Sequence, residues 1–216
     1  MATVKTLTIA LAGNPNSGKT TIFNSLTGTR PKVGNWPGVT VERKQGYFKH
    51  DGNTIQVIDL PGTYSLDYSD ASVDEHIARK FCLDCPDHFF INILDASTLE
   101  RGLYLTLQLR ELGVPTLVYL NMMDVANKRG MKINVEKLSR QLECPVIPLS
   151  LRDGRSSAQL QHQVIQESAA IDSAGAVVLE YDDNVENALA TIQKHDNCDR
   201  VQALKTLQEN GRETTT

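Results

Sequence analysis

One short segment near the N-terminus restricts the possible folds of this chain more than any other feature. Gly13 to Thr20 reads G-N-P-N-S-G-K-T and matches G-x-x-x-x-G-K-[ST] without a mismatch. An almost continuous apolar run, 7–12, precedes it, as in a strand buried on both faces of a parallel sheet, and a helical pattern begins at about Lys19. In this context, backbone N–H groups and the positive end of a helix dipole face bound phosphate. The segment therefore predicts a nucleoside triphosphate site. The alternative is a glycine-rich turn with a chance lysine.

Later apolar runs alternate with helical patterns, which is typical of βαβ units and a parallel sheet. Strand patterns occur at 44–50, 54–60, 89–94, 115–121 and 145–149. Helical patterns occur at 72–83, 99–112, 135–142 and 157–168. Asp51-Gly52 is a hairpin signal, so one antiparallel pair should make the sheet mixed. The segment 29–40 is rich in Gly and Pro and is predicted to be a loop.

The character of the chain changes after about residue 168. Two amphipathic helical patterns, 185–192 and 201–207, follow without another clear strand, and 211–216 is polar and expected to be disordered. We predict a main α/β domain over 1–168 and a small all-helical segment over 169–216.

A second motif, D-L-P-G at Asp59 to Gly62, ends a buried strand pattern. Asp59 can position the groups that coordinate Mg²⁺ without binding the ion directly. The Gly62 N–H can reach a γ-phosphate. Lys19 would bridge the outer phosphates, and the Thr20 hydroxyl would ligate Mg²⁺. D-x-x-G alone is weak, but its position behind a phosphate loop makes it informative.

The third motif, N-M-M-D at Asn121 to Asp124, follows another buried run. A carboxylate at Asp124 can accept from both the ring N–H and the exocyclic amine of guanine, whereas adenine offers no such pair of donors. Met122 stands where the common pattern N-K-x-D has lysine. An asparagine that only caps the following helix is the alternative. Ser150 follows the last strand pattern, where a small residue would contact the base.

Together the motifs predict a mixed, mostly parallel sheet of the P-loop GTPase (Ras-like) class. Thr40, in the loop before the second strand pattern, is the best candidate to complete Mg²⁺ coordination when a γ-phosphate is present; Thr29 is a rival. The residues predicted to contact the nucleotide are Asn14, Pro15, Asn16, Ser17, Gly18, Lys19, Thr20, Thr21, Asn121, Met122, Asp124 and Ser150. Those predicted to serve catalysis are Lys19, Thr40, Gly62 and Asn16.

The composition argues against several other classes of protein. The net charge of −4 argues against nucleic acid as a main partner. No uncharged apolar stretch approaches the roughly 18 residues of a membrane helix, so the chain as given is expected to be soluble. The four cysteines, which include one isolated C-x-x-C pair, indicate ordinary thiols in a reducing compartment.

The motifs also resemble those of the bacterial ferrous iron transport protein B family. The discriminating part is V-G-N-W-P-G-V-T-V-E-R-K at 33–44, beside the three motifs above. The resemblance implies the cytoplasmic N-terminal portion of an inner-membrane transporter, with the transmembrane portion of the same protein as partner and a tail resembling part of a GDP-dissociation-inhibitor-like domain. Whether the chain forms a homo-oligomer stays open. A nucleotide-sensing binding module, and a potassium-dependent GTPase of tRNA modification or ribosome assembly, are alternatives.

Two expectations concern the chemistry. Thr63 occupies the position where many G proteins carry a water-orienting glutamine, which predicts slow intrinsic hydrolysis; a base supplied by Glu75 is the alternative. In related potassium-dependent GTPases, a loop asparagine and carbonyl groups of the first switch hold K⁺. The matching positions are Asn16, Gly34 and Trp36, although Asn16 could instead only hydrogen-bond within its loop. Trp36 itself is expected to be exposed.

Overall fold

The computed structural model describes residues 7–28, 31–66, 72–149, 156–171 and 178–210. A seven-stranded sheet forms the centre of the chain, in the order β2-β3-β4-β1-β5-β6-β7. The strands are β1 (Thr8–Gly13), β2 (Lys32–Asn35), β3 (Glu42–His50), β4 (Asn53–Asp59), β5 (Phe89–Asp95), β6 (Thr116–Asn121) and β7 (Val146–Pro148). β3 is antiparallel to both β2 and β4, and the remaining neighbours are parallel. The predicted mixed, mostly parallel sheet is confirmed.

Eight helices surround or follow this sheet within the described ranges: α1 (Lys19–Thr27), α2 (Val73–Asp84), α3 (Leu99–Glu111), α4 (Met123–Lys128), α5 (Val135–Leu142), α6 (Ser157–Ala170), α7 (Asp183–Asp196) and α8 (Arg200–Asn210). α1 and α6 cover one face of the sheet through a cluster that includes Phe23 and Val164. The apolar side chains of α2 and α3 cover the other face, where Phe81 and Leu105 are buried.

The β3–β4 hairpin turns at Asp51 and Gly52, which both adopt positive φ angles, 46° and 78°. Asp-Gly is favoured at such positions because glycine has no Cβ and a short polar residue tolerates the left-handed region. The hairpin predicted from this dipeptide is confirmed.

The prediction of one irregular loop over 29–40 is wrong in part. Lys32–Asn35 forms the edge strand β2, paired with the start of β3. The connection is a tight turn, in which the Trp36 N–H donates to the Val41 carbonyl (2.9 Å) and the Val39 N–H donates to the Trp36 carbonyl (3.2 Å). A four-residue strand whose side chains are all exposed carries no apolar alternation, so its pattern could not reveal it.

The expected exposure of Trp36 is also wrong. Its side chain is buried and meets Phe81 of α2 edge to face, with ring centroids 5.7 Å apart. The Arg43 guanidinium lies over the indole at 4.9 Å. The aromatic ring therefore fastens the β2–β3 connection to α2, because such pairs stabilise beyond the apolar area they bury.

The C-terminal segment is a helical pair, α7 and α8, which confirms the helical patterns predicted there. Its small core comprises Leu189, Ala203 and Leu204, with Val185, Ile192, Cys198 and Leu207 packed around it. The Tyr181 hydroxyl, just before α7, donates to the Glu111 carboxylate on α3 at 2.6 Å and ties the pair to the main domain. Residues 211–216, expected to be disordered, lie outside the described residues.

Candidate nucleotide site

The predicted phosphate loop occupies the connection between β1 and α1. Its two glycines adopt positive φ angles, Gly13 at 149° and Gly18 at 97°. A Cβ on Gly13 would come within 2.6 Å of the Ile93 carbonyl oxygen, and one on Gly18 would collide with the Asn121 amide. Both glycines are therefore required by conformation and by space. The loop packs too closely on β5 and β6 to accept side chains there.

The three motifs meet at one edge of the sheet, because β1, β4 and β6 are parallel and each ends in one of them. The Asn121 amide donates to the Ser17 carbonyl at 2.9 Å and joins N-M-M-D to the phosphate loop. The Thr63 N–H donates to the Gly13 carbonyl at 3.3 Å, which joins the segment after D-L-P-G to the same loop. The structure thus brings together motifs that are more than a hundred residues apart.

Lys19 and Asp59 form the central charged contact of the site. The Lys19 ammonium lies 2.5 Å from a carboxylate oxygen of Asp59, and the two side chains are only 11% and 9% exposed. Thr20 follows Lys19 at the start of α1 and is exposed. A hydroxyl and a carboxylate are oxygen ligands of the kind that Mg²⁺ prefers. Thr20, which adjoins Lys19 in the chain, and Asp59, which contacts Lys19, therefore have side chains whose chemistry fits Mg²⁺.

The rest of the phosphate loop presents a mixture of exposed and buried groups. Pro15, Asn16 and Thr21 are exposed, and Asn14 is half-buried. Asn16 has a left-handed backbone with φ of 66°. Ser17 is 2% exposed, and its hydroxyl has no hydrogen-bond partner in the described part of the chain. A buried hydroxyl in that state is uncommon, because an unpaired polar group carries the cost of desolvation.

The N-M-M-D motif bends sharply after Asn121. Met122 adopts the left-handed region, with φ of 58°, and α4 begins at the next residue. Asp124 therefore lies in the first turn of α4, half-buried. The sequence did not predict α4, because six residues are too few to show helical periodicity. Ser150, the other candidate for the base, and Thr29 lie outside the described residues.

Thr40 and Gly34 lie on the β2–β3 hairpin, and both are exposed. The hairpin reaches the site through β3, where Lys44 pairs in register with Asp59 of β4. Thr40 lies shortly before this pair in the chain. The Trp36 carbonyl, the third potassium candidate beside Asn16 and Gly34, accepts the Val39 N–H within the turn.

Both side chains considered for water activation make hydrogen bonds within their own part of the chain. The Thr63 hydroxyl is buried, donates to the Ser65 carbonyl at 2.7 Å and accepts the Ser65 N–H. Glu75 accepts from the Ser72 N–H and hydroxyl at the start of α2 and from the Ser65 hydroxyl. Burial raises the pKa of Glu75, but the hydrogen bonds from Ser72 and Ser65 outweigh it, so the pKa is lowered.

No sequence pattern predicted that α3 contacts this site. The Asn14 amide donates to the Arg101 carbonyl at 3.3 Å, and the Arg101 side chain lies over the Tyr64 ring. These residues are too far apart in sequence for any local pattern to connect them.

Comparison with known proteins agrees with this arrangement. A family model described as "Ferrous iron transport protein B" matches residues 7–164. The chain belongs to this family. The Fe(2+) transporter FeoB of Escherichia coli K12 is 54% identical over 160 residues, which cover 73% of this chain and 21% of the relative. That of Salmonella typhimurium is 52% identical over 168 residues, covering 77% and 22%. The chain thus spans about a fifth of the length of the curated FeoB relatives it matches.

Solved structures of FeoB domains share the fold. The cytosolic domain of T. maritima FeoB in a GDP form superposes with a TM-score of 0.81 at 38% identity, covering 93% of this chain and 80% of that one. The cytosolic domain of L. pneumophila FeoB gives 0.79 at 39% identity, covering 97% and 90%. The T. maritima domain was also solved in a GMPPNP form. Within the described ranges, no helix combines the length and apolar character needed to cross a bilayer.

Proposed function

We propose that this chain binds GTP with Mg²⁺ and hydrolyses it slowly to GDP and phosphate, as the regulatory G domain of a ferrous iron transporter. The observation that carries the proposal is the convergence of three motifs on one site, where Asn121 bonds to Ser17 and Lys19 pairs with Asp59. The solved FeoB domains in GDP and GMPPNP forms support a guanine nucleotide as the ligand. The proposed unit would act with the transmembrane part of the same protein, on the cytoplasmic side of the bacterial inner membrane.

Each part of the nucleotide has a proposed partner. Backbone N–H groups of the phosphate loop around Lys19 bind the phosphates, the Lys19 side chain bridges the outer two, and Asp124 reads the guanine edge beside Asn121 and Met122. Ser150 is proposed to contact the same base. Thr20 and Thr40, together with Asp59, would hold Mg²⁺, which would supply charge stabilisation to the phosphates.

The proposed slow rate follows from the groups around the attacking water. Thr63 and Glu75 already use their side chains in hydrogen bonds to Ser65 and Ser72. Among the described residues, we propose that backbone groups of Gly62 and Thr40 orient the water. Positioning without a general base gives up the 10²- to 10⁴-fold that such a base typically contributes.

Calorimetric titration with GDP, a non-hydrolysable GTP analogue and an ATP analogue, each with Mg²⁺, tests the assignment. Guanine ligands should bind at least about a hundredfold more tightly than the adenine ligand, because adenine offers the Asp124 carboxylate no matching pair of donors. Asp124→Asn should remove most of this preference. Equal affinities for both purines, or preference for adenine, would contradict the proposal.

We further propose that K⁺ binds between Asn16 and the carbonyl groups of Gly34 and Trp36 and stimulates hydrolysis by offsetting transition-state charge. Single-turnover hydrolysis in KCl should exceed that in NaCl at equal ionic strength, and Asn16→Ala should remove the difference while GDP still binds. Equal rates in the two salts would exclude a potassium role. A purely nucleotide-sensing module would instead show no measurable turnover in either salt.

A further inference from the structure

Helix α3 contacts the segment that follows D-L-P-G at two separate points. At the first, the Arg101 guanidinium carbon lies 3.8 Å from the centroid of the Tyr64 ring. Contacts within about 6 Å already count as cation–π interactions, so this one is a close stack. We call residues 63–66 the clamped segment.

The second point lies two helical turns further along α3. The Gln108 side-chain oxygen accepts the Leu66 N–H at 2.7 Å in a buried position. Residues seven apart lie on the same face of a helix, so Arg101 and Gln108 grip the clamped segment from one face of α3. The Leu66 carbonyl is also held, by the Arg79 guanidinium of α2.

The same part of α3 supports the phosphate loop. The Asn14 amide donates to the Arg101 carbonyl, and a Cβ on Gly102 would come within 2.7 Å of the Leu94 side chain and 3.8 Å of the Asn14 amide. The helix backbone therefore lies directly against β5 and the loop. Because Thr63 bonds to Gly13, the phosphate loop and the clamped segment share one rigid support.

We infer that Arg101 is a positioning residue for GTP hydrolysis, which by stacking on Tyr64 fixes the backbone of Gly62 and Thr63 against the phosphate loop. The inference rests on the proposed function. It assigns Arg101 no contact with the reacting atoms. Since Thr63 and Glu75 use their side chains elsewhere, the rate depends on how accurately this backbone is placed, and misplacement by about 1 Å can cost on the order of a hundredfold.

Hydrogen exchange of the nucleotide-free protein tests the contact without any reference to activity. In Arg101→Ala the Thr63 amide should exchange about tenfold faster, because the opening free energy of this local unit falls. The Leu66 amide should change less, since Gln108 and Arg79 still hold that end of the segment. Unchanged exchange at Thr63 would overturn the inference.

Single-turnover hydrolysis and GDP affinity test the role in positioning. Arg101→Ala and Tyr64→Ala should each lower the hydrolysis rate by about tenfold, while the dissociation constant of GDP stays within about twofold of wild type. The double variant should lose no more than either single one, because both remove the same contact. Tyr64→Phe keeps the ring and should restore most of the rate, whereas Arg101→Lys should restore less, since an ammonium lacks the planar stacking surface.

Arg140→Ala, which removes an exposed arginine on α5, is the matched control and should keep the wild-type rate and exchange. An Arg101→Ala rate equal to wild type, or a loss of GDP affinity as large as the loss of rate, would overturn the positioning role. A wild-type protein that hydrolyses no GTP would refute the proposed function and the positioning role with it, while exchange at Thr63 would still report on the contact.

Discussion

The ion pair between Lys19 and Asp59 is the main charged contact of the candidate site. Their charged atoms lie 2.5 Å apart in a largely buried position. Bound phosphate would attract the Lys19 ammonium, and Mg²⁺ would attract the Asp59 carboxylate, so each gains a new partner as the ion pair opens. This balance matters because a buried charge that loses its only partner costs about 3–5 kcal/mol. The ion pair therefore neutralises the charges of Lys19 and Asp59 while both side chains stay at the candidate site.

Met122 is the residue whose identity departs most clearly from the common guanine-reading pattern. Replacing it with lysine should slow GDP release several-fold, because the lysine stem would add apolar contact beside the base and about 1 kcal/mol changes an equilibrium roughly fivefold. Stopped-flow displacement of a fluorescent GDP analogue measures this rate.

Met122→Leu is the matched control for that experiment. Both replacements must adopt the same left-handed backbone, with φ of 58°, and neither is β-branched, so conformational strain is similar in the two. Leucine should leave the GDP off-rate close to wild type. If Met122→Lys also leaves the GDP off-rate unchanged, apolar contact between the side chain at position 122 and the base does not control GDP release.

At the scale of helices and strands, the sequence predicted those elements that have a periodic apolar pattern or a characteristic turn. β1, β5 and β6 are continuous apolar runs, and the Asp51-Gly52 turn carries its own signal. β2 and α4 were not predicted, because a short exposed strand and a six-residue helix have no periodic apolar pattern. Trp36 was misjudged since its partner, Phe81, comes from a helix far along the chain. Motif chemistry predicted three motifs that the structure brings together at one end of the sheet, whereas the contacts of α3 depend on tertiary packing.

The approach of α1 to β3 gives an element-scale prediction. A Cβ on Gly46 would lie 2.6 Å from both the Cβ and Cγ2 atoms of Thr27, so α1 sits directly on the glycine. Gly46→Ala should lower the free energy of unfolding by about 1–3 kcal/mol, the usual cost of overpacking. Thermal and urea unfolding measure the change.

Gly34→Ala is the control for stability, because a Cβ there meets no atom within 4 Å and its backbone needs no positive φ. It should shift the free energy of unfolding by no more than about 0.5 kcal/mol. Equal stability of Gly46→Ala and wild type would show that α1 can move away from β3 without cost.

On the scale of the whole molecule, α3 spans from the nucleotide site to the C-terminal helical pair. Its first turns carry Arg101 beside Asn14 and Tyr64, and its end carries Glu111, which accepts from Tyr181. Burial raises the pKa of Glu111, although the hydrogen bond from Tyr181 and the charge of Arg200 lower it in part. Helix α3 thus contacts both the candidate site and the segment before α7.

The helical pair has a small core, and a charged contact joins its two helices. The Arg200 guanidinium binds both carboxylate oxygens of Glu186 at 2.7 Å and also donates to the Leu179 carbonyl. These bonds join the start of α8 to the first turn of α7. The hydrogen bonds from Arg200, with that from the Tyr181 N–H, lower the pKa of Glu186 from 4.5 to about 2.

The lowered pKa of Glu186 predicts that acid loosens the helical pair. The contribution of this carboxylate to stability is fully present above pH 4.5 and is lost as pH falls toward about 2. Glu111 acts in the opposite sense, because its raised pKa means that the folded state takes up a proton more readily. Two-dimensional NMR should therefore show that the methyl signals of Leu189 and Leu204 change between these pH values.

The Glu186→Gln variant tests this contact. It should destabilise the helical pair already at neutral pH, and it should remove the part of the acid response that comes from protonation of Glu186. If the variant and wild type respond identically to acid, the Arg200–Glu186 contact does not stabilise the pair, and its small apolar core must hold α7 and α8 together.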